Sequence, residues 1–151
     1  MILNDVLTKQ NVFTKLLLKN GNKELPKELK VKVMRIRMTY AKIKKNFEAE
    51  IQEFMDSLIT DEFKALNSIE TRNSEEEIRF KELAESIDSD YQIFLKQKGE
   101  ESVADIDDVI TIDEYSDILE VNADNDVEIN GNKISAVDFL EIIYDLFVKE
   151  D

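Results

Sequence analysis

The stretch 124–131 is the part of the sequence whose residue types and spacing come closest to a metal site, because oxygen-bearing side chains alternate along it before a glycine. A calcium loop beginning at Asp126 would place ligands at Glu128 and Asn130. Its closing carboxylate would then fall at Val137, which has no oxygen ligand to offer. We therefore predict a β-hairpin with an Asn-Gly turn here, and neither a metal ion nor another cofactor.

The chain offers few of the residue types common in catalysis, since histidine and cysteine are both absent. Acid pairs such as Asp107 with Asp108, or Asp113 with Asp117, could serve acid–base catalysis or hold magnesium, but 34 acidic residues produce such pairs by chance. The sequence has no glycine-rich phosphate loop and no G-x-S-x-G motif. We predict a protein that is not an enzyme and has no small-molecule substrate; a carboxylate enzyme with a divalent metal is the alternative.

The charge of the chain is divided along its length. Residues 1–47 contain twelve Lys and Arg against three Asp and Glu, whereas residues 48–151 contain eight against 31. The two parts carry net charges of +9 and −23. Two explanations stay open: the basic part neutralises the acidic part, within one molecule or between copies, or each surface meets a different partner.

Eight basic residues surround much of one predicted helix, recurring three, five or seven positions apart. A nucleic-acid site would need them on one exposed face, free of the acidic part. We therefore expect no nucleic-acid partner, and favour an acidic protein or the chain's own acidic part. The eight residues are Lys27, Lys30, Lys32, Arg35, Arg37, Lys42, Lys44 and Lys45.

Helical spacing of apolar residues predicts a first helix over residues 3–18, which Asn4 caps and the sequence Asn-Gly-Asn at 20–22 ends. The next helix is expected to begin near Pro26, where a proline costs no hydrogen bond. It extends to about Leu66, which is roughly 60 Å at 1.5 Å per residue.

The long helix carries an apolar seam with alternating steps of four and three and one extra step of four. One helix cannot bury such a seam alone, so the seam is a candidate core or subunit interface. Its residues are Leu29, Val33, Ile36, Tyr40, Ile43, Phe47, Ile51, Phe54 and Leu58. To these the candidate interface adds the basic residues Arg35, Arg37, Lys44 and Lys45.

A second long helix is predicted after the polar break at 67–73, with Ser74 and Glu77 forming a capping box. It ends before Lys98-Gly99, and its apolar stripe matches the seam in spacing. The simplest arrangement is an antiparallel helical hairpin. The stripe consists of Phe80, Leu83, Ile87, Tyr91 and Phe94.

The C-terminal part begins with a solvated acidic connection over 100–111, pinned by Ile106 or Val109. Thr111 with Glu114 predicts the start of a short helix that reaches about Leu119. The β-hairpin spans 126–134, and Ser135 with Asp138 caps a closing helix. The side of this helix that faces the core is predicted to hold Val137, Leu140, Ile143, Tyr144 and Phe147.

The predicted fold is mainly α, of the α+β class: a long antiparallel helical hairpin with a short N-terminal helix and a small C-terminal module of β-hairpin and helix. We divide the chain into a helical region, 1–99, and an acidic module, 100–151, within one folding unit. No stretch approaches the roughly 20 apolar residues of a membrane span, and the N-terminus does not resemble a signal peptide. We therefore expect a protein that is neither secreted nor embedded in a membrane.

The order of these elements resembles that of small proteins encoded among the virion and tail-assembly genes of tailed bacteriophages. The resemblance runs from the Leu-Pro at 25–26 through the long helix to the closing segment. There it involves DEYSDILEV at 113–121, VEI at 127–129 and KISAVDFL at 133–140. That group defines no functional residues, so none is transferred to this chain.

The resemblance implies a structural or assembly role in a phage particle, as a ring, connector or decoration subunit or a tail-assembly accessory. The implied partners are other virion or assembly proteins, including copies of the chain itself, in the virion or the host cytoplasm. The alternative function is an acidic inhibitor, of the immunity-protein type, that neutralises a basic partner.

Overall fold

The computed structural model describes residues 1–149. Within these residues the chain is mainly α-helical with two small antiparallel strand pairs, which confirms the predicted fold class. The elements are α1 (Leu3–Phe13), β1 (Lys19–Asn20), β2 (Lys23–Glu24), α2 (Lys27–Leu58), α3 (Asp61–Asn67), α4 (Ser74–Gly99), α5 (Ile112–Asn122), β3 (Val127–Ile129), β4 (Asn132–Ile134) and α6 (Ala136–Phe147).

Residues 1–40 and 99–149 form what we call the head, which surrounds a single apolar core. Helix α1 packs against α2 and α6, and α5 packs against α6 and the β1–β2 pair. Segments on both sides of position 100 therefore contribute to the same core. Its fully buried apolar side chains are Val6, Phe13, Val33, Ile36, Tyr40, Ile110, Ile118, Phe139 and Ile143.

Residues 41–98 form what we call the arm, in which the second half of α2 packs against α4 and α3 covers part of α4. Two aromatic stacks join these helices: Phe54 with Phe94 at a centroid distance of 4.0 Å, and Phe63 with Phe80 at 5.3 Å. Between positions 41 and 98 no side chain reaches full burial. The predicted helical hairpin is present, but two helices cover their shared seam only partly.

Helix α2 is shorter than predicted, since it ends at Leu58 and not near Leu66. Ile59 adopts an extended conformation, and the hydroxyl of Thr60 accepts a hydrogen bond from the backbone of Phe63, which starts α3. A threonine that caps a new helix competes with continuation of the old one. The capping box of α4 also lies one residue earlier than predicted, between Asn73 and Glu76.

The N-terminal segment differs from the prediction at both ends of its helix. Helix α1 ends at Phe13, and Gly21, with φ of +62°, lies in the turn of a β-hairpin that the pattern did not predict. Asn4 makes no capping hydrogen bond; the residue before the helix is Ile2. The Asn4 side chain instead lies against Gly99, where an added Cβ would be 2.3 Å from its oxygen, so a larger residue at position 99 would require the Asn4 side chain to move.

The C-terminal elements follow the prediction closely. Strands β3 and β4 pair with Val127 opposite Ile134, and the turn residues Asn130 and Gly131 both have positive φ, as an Asn-Gly hairpin turn requires. The capping box of Thr111 with Glu114 is present. The hydroxyl of Ser135 accepts a hydrogen bond from the backbone of Asp138, so the predicted cap of α6 is also present.

One detail of this C-terminal region was wrong. Val137 was expected to face the core but is 73% exposed, because it lies in the first turn of α6 on the side away from the core. The predicted pin of the acidic connection is confirmed at Ile106, which is half-buried against the core, and Ile110 is a second one. Ile110 is fully buried and its backbone amide donates to the carbonyl of Phe147 at 2.9 Å.

Candidate protein–protein interface

The first part of the predicted seam lies inside the head. Leu29, Val33, Ile36 and Tyr40 are buried against α1, α5 and α6 in the common core. These four side chains therefore leave no surface for a second protein. Burial of one face of α2 makes the opposite face of the same helix the surface that a partner can reach.

The second part of the seam lies in the arm, where all five of its side chains are half-buried. Phe54 stacks on Phe94, and Phe47 lies with Ile43 in a groove that Lys98 and Glu101 border. The Nζ atom of Lys98 bonds to Glu50 and, at 2.8 Å, to Glu101, and these hydrogen bonds raise the pKa of Lys98. The seam thus holds α2 and α4 together. Its five arm residues are Ile43, Phe47, Ile51, Phe54 and Leu58.

The outer face of α2 carries an exposed apolar strip that we call the Met stripe, formed by Val31, Met34 and Met38. These side chains are 59%, 51% and 70% exposed, respectively. With Arg35, Thr39 and Lys42 they line a shallow groove of about 560 Å³. Methionine is flexible and polarisable, which suits a surface that adapts to a partner. An apolar strip of this kind on a rigid helix is the most distinctive exposed feature of the head.

Several basic residues of α2 are engaged by the chain's own carboxylates and carbonyls. Lys32 bonds Glu114 at 2.7 Å, and Arg35 lies 3.8 Å from Asp107. Burial favours the neutral form of Glu114, but the hydrogen bonds from Lys32 and the Thr111 backbone outweigh it and lower the pKa of Glu114. The two charged parts of the sequence therefore neutralise each other in part within one molecule.

Two other members of the predicted interface are also engaged. Arg37 donates to the backbone carbonyl of Leu16, and burial lowers the pKa of its guanidinium. Lys44 lies 3.9 Å from Glu48 on the next turn of α2. Three basic residues of α2 have neither a carboxylate within salt-bridge distance nor, like Arg37, a hydrogen bond to a carbonyl among residues 1–149: Lys27, Lys42 and Lys45. Together with Arg35, these cations frame the Met stripe.

A buried polar cluster joins the acidic connection to the core of the head. Asp108, which was expected to be solvated, is buried; it accepts a hydrogen bond from the Tyr40 hydroxyl and one from Lys9 at 3.0 Å. Burial, together with the hydrogen bond to Asp108, raises the pKa of the Tyr40 phenol. Tyr40 and Asp108 are buried and Lys9 is partly exposed, and the hydrogen bonds among the three supply the buried carboxylate with partners.

Two of the three carboxylates in the stretch whose spacing resembles a calcium loop accept hydrogen bonds within the fold, and the third, Glu128, is exposed. Asp126 accepts a hydrogen bond from the backbone amide of Ala136 at 2.8 Å, and Asp124 accepts one from the Asn20 side chain at 2.6 Å. In residues 1–149 no three acidic side chains are arranged to hold a metal ion. No described helix is long and apolar enough to cross a membrane.

The outer face of α4 carries two exposed apolar side chains among charges of both signs. Ile78 and Ile93 are both more than half exposed. The exposed charged residues on the same side of the helix are Glu82, Glu85, Arg79, Lys81 and Lys96. Arg79 bonds Glu62 of α3 at 2.6 Å, so the N-terminal end of this face lies beside α3.

Comparisons of the chain with models of known protein families, with curated proteins and with solved structures found no match. The resemblance to phage assembly proteins stays a prediction.

The Met stripe was missed because the regular seam accounted for α2. The signal was nevertheless present in the sequence: Val31, Met34 and Met38 follow steps of three and four, about half a turn away from Leu29 and Val33. When one of two opposite apolar stripes on a helix is buried in the core, the other remains exposed. The burial of Asp108 had no such signal, because its partners Lys9 and Tyr40 are distant in sequence.

Proposed function

We propose that this chain is a non-enzymatic assembly protein that acts through protein–protein contacts, as a structural or assembly subunit of tailed-bacteriophage particles. The Met stripe is the observation that carries the proposal. Its apolar side chains are exposed on a helix whose other face is anchored in the core of the head. A rigid helix that presents exposed apolar groups framed by cations supports binding to another protein.

The chemistry of the chain supports binding over catalysis. The sequence has neither imidazole nor thiol groups, and the buried carboxylate Asp108 is satisfied by Lys9 and Tyr40. Perturbed acids that point into a cleft are what a carboxylate enzyme needs. The resemblance in element order supports the phage setting, and with it we propose a location in the virion or the host cytoplasm.

The proposal is tested in the phage or prophage whose genome encodes the chain. We expect mass spectrometry to find the chain at a fixed copy number in purified particles or in assembly intermediates. Deletion of its gene should reduce the yield of complete particles. Absence from both fractions, with an unchanged particle yield after deletion, overturns the proposal.

Two matched variants test whether incorporation into particles depends on the Met stripe. Met38→Glu places a charge in the stripe, whereas Val137→Glu places the same charge at an equally exposed site on α6. We expect Met38→Glu to lower incorporation into particles at least tenfold and Val137→Glu to leave it unchanged. Equal incorporation of both variants would remove the Met stripe from the proposal.

The acidic-inhibitor alternative is supported by exposed acids of the C-terminal part. Asp113, Glu120 and Glu141 are exposed and lie in no salt bridge with any cation of residues 1–149. A specific basic partner whose binding weakens with salt, and with Glu120→Lys, would support this function. Partners that are all neutral or acidic would eliminate it.

A further inference from the structure

The charge of the first half of α2 restricts what can bind the Met stripe. Between positions 27 and 46 the helix contains eight Lys and Arg and one acidic residue, Glu28. The three apolar side chains of the stripe are more than half exposed among these cations. We propose that the Met stripe binds an amphipathic helix of another protein, whose apolar side is flanked by acidic residues. This inference rests on the proposed binding function and specifies the chemistry of the partner.

Most of the positive charge beside the stripe is not neutralised by the chain itself. Lys27, Lys42 and Lys45 have no carboxylate within salt-bridge distance in residues 1–149, and the carboxylate nearest Arg35 is that of Asp107 at 3.8 Å. The outer face of α4 also exposes apolar side chains, but among charges of both signs. An acidic partner is therefore attracted more strongly to the Met stripe than to the outer face of α4.

The spacing of the stripe suits a helix as the bound element. Val31, Met34 and Met38 follow steps of three and four, so they form one ridge about 10 Å long on the surface of α2. A ridge of this kind fits between the side-chain rows of a second helix. The shallow groove of about 560 Å³ beside the ridge leaves room for apolar side chains of that helix.

The chain already contains one contact between α2 and an acidic helix. Lys32 bonds Glu114 in the first turn of α5 at 2.7 Å, and α5 contains acidic residues and no Lys or Arg. The same basic half of α2 therefore binds one acidic helix within the molecule. The cations beside the Met stripe, which α5 does not reach, are left for a helix of another protein.

A nucleic acid and a membrane fit the stripe less well than a protein does. A nucleic acid would bring phosphates against methionine side chains, which donate no hydrogen bond. A helix that binds a membrane surface buries a broad apolar face in the lipid. The opposite face of α2 is committed to the core of the head, and the stripe offers three apolar side chains.

Fluorescence anisotropy of a labelled synthetic helix tests the inference. The probe is a peptide of about 20 residues with leucines at steps of three and four along one side and glutamates on both flanks of that side. Control peptides carry lysines or glutamines in place of the glutamates. We expect the glutamate peptide to bind the full chain with a dissociation constant on the order of 100 μM at about 50 mM salt, and at least tenfold more weakly at about 500 mM. Both control peptides should bind at least tenfold more weakly at the lower salt concentration.

Matched variants of the chain locate the binding site of the peptide. Met38→Glu combined with Lys42→Glu damages the Met stripe, and Ile93→Glu combined with Lys96→Glu makes the same changes of charge on the outer face of α4. The first double variant should weaken binding of the glutamate peptide at least tenfold, and the second should bind it like the original chain. Equal losses would show attraction to the total charge of the chain and would overturn the inference.

Binding of the lysine peptide as tight as that of the glutamate peptide, or no binding of the glutamate peptide, also overturns the inference. Sedimentation velocity of the chain alone and flotation with vesicles of anionic phospholipid test the other occupants. Self-association or vesicle binding that the stripe variant abolishes would assign the stripe to a second copy or to a membrane, against the inference. Circular dichroism confirms that each variant is folded, and Met38→Gln with Lys42→Gln replaces a stripe variant that is not.

Failure of this inference is distinguishable from failure of the proposed function. A chain that binds no acidic helix but is incorporated into particles through its Met stripe contradicts only the chemistry assigned to the partner. A chain that binds the glutamate peptide through its Met stripe, but is absent from particles and assembly intermediates, supports that chemistry and contradicts the phage role.

Discussion

The head and the arm are built from the same apolar residue types, yet they differ in how far those residues leave water. In the head, α1, α2, α5 and α6 surround a common core, and Tyr40 and Phe139 are fully buried. In the arm, aromatic residues such as Phe54 and Phe80 stack but stay half-buried. A helix pair has too few neighbours to enclose its seam, whereas four helices and a hairpin can.

Apolar side chains therefore contribute more to stability in the head and are more accessible to other proteins in the arm. Side chains that hold the head together are hidden from partners, and those of the arm remain partly accessible. Local opening is easiest where few apolar contacts are buried, so the arm should open without unfolding the head.

Truncation of a buried aromatic residue should have the largest effect. We expect Phe139→Ala in the head to lower the free energy of unfolding by about 3–5 kcal/mol, because it removes contacts and leaves a cavity. Phe54→Ala in the arm should lower it by about 1–2 kcal/mol, since the ring is half in water already. Urea titration at 25 °C measures both.

If Phe139→Ala does not fold, the milder variant Phe139→Leu replaces it in the urea titration. It too should destabilise the chain more than Phe54→Leu does. Equal losses in head and arm would show that the arm is as well enclosed as the head.

Removal of the hydroxyl that bonds the buried carboxylate should have an intermediate effect. Tyr40→Phe leaves Asp108 buried with Lys9 as its remaining side-chain partner, and we expect a loss of about 1–3 kcal/mol. Tyr91→Phe in the arm is the matched control, because Tyr91 is half-buried and its hydroxyl bonds to no group within residues 1–149. A Tyr40→Phe variant as stable as the control would contradict the role of the cluster.

Removal of a helix cap should destabilise the chain less. In the head it should lower the global free energy of unfolding, whereas in the arm it should cause local opening. Thr111→Ala removes the cap of α5 in the head and should lower the global free energy of unfolding by about 1 kcal/mol. Thr60→Ala removes the cap of α3 in the arm, and we expect faster hydrogen exchange over 61–67 with little global change. Mass-spectrometric hydrogen exchange and urea titration separate the two outcomes. Exchange in α3 that is no faster than in the original chain would count against independent opening.

Loss of the Lys32–Glu114 ion pair in acid should change the free energy of unfolding least. The pKa of Glu114 is below its ordinary value of 4.5, so the Lys32–Glu114 pair stabilises the fold above about pH 4.5 and is lost as pH falls through the lowered pKa. Solvent screening limits its contribution to at most about 1 kcal/mol. Glu114→Gln should therefore destabilise the chain at pH 7 but not at about pH 3.

The control for this titration lies in the arm. Glu77 also has a lowered pKa, through its hydrogen bond with Arg72, but the pair is at the surface. Glu77→Gln should give no change that urea titration resolves at either pH. A pH-independent loss for Glu114→Gln would mean that hydrogen bonding, and not charge, stabilises the start of α5.

Local signals in the sequence predicted the C-terminal elements well. The Asn130–Gly131 turn and the caps at Thr111 and Ser135 depend on neighbours within a few residues, and each was confirmed. The end of α2 was wrong, because the cap at Thr60 competes with a continuing apolar pattern and the outcome depends on α4.

Long-range features were the least predictable. Burial of Asp108 requires Lys9 and Tyr40, which come from α1 and α2. The division of the seam into a buried and a half-buried part depends on how many elements surround each stretch of α2, which periodicity does not encode. The exposed face with Met34 and Met38 follows from that division, and becomes recognisable only once the seam has been assigned to the interior.

Helix α2 is continuous across the boundary between the two regions, with no break from Lys27 to Leu58. Its first half is anchored in the core, so the core sets the direction of the arm. A bend of about 10° at Tyr40 would carry Leu58, about 27 Å further along the axis, through about 5 Å. The position of the arm tip therefore depends on how straight α2 is where it leaves the head.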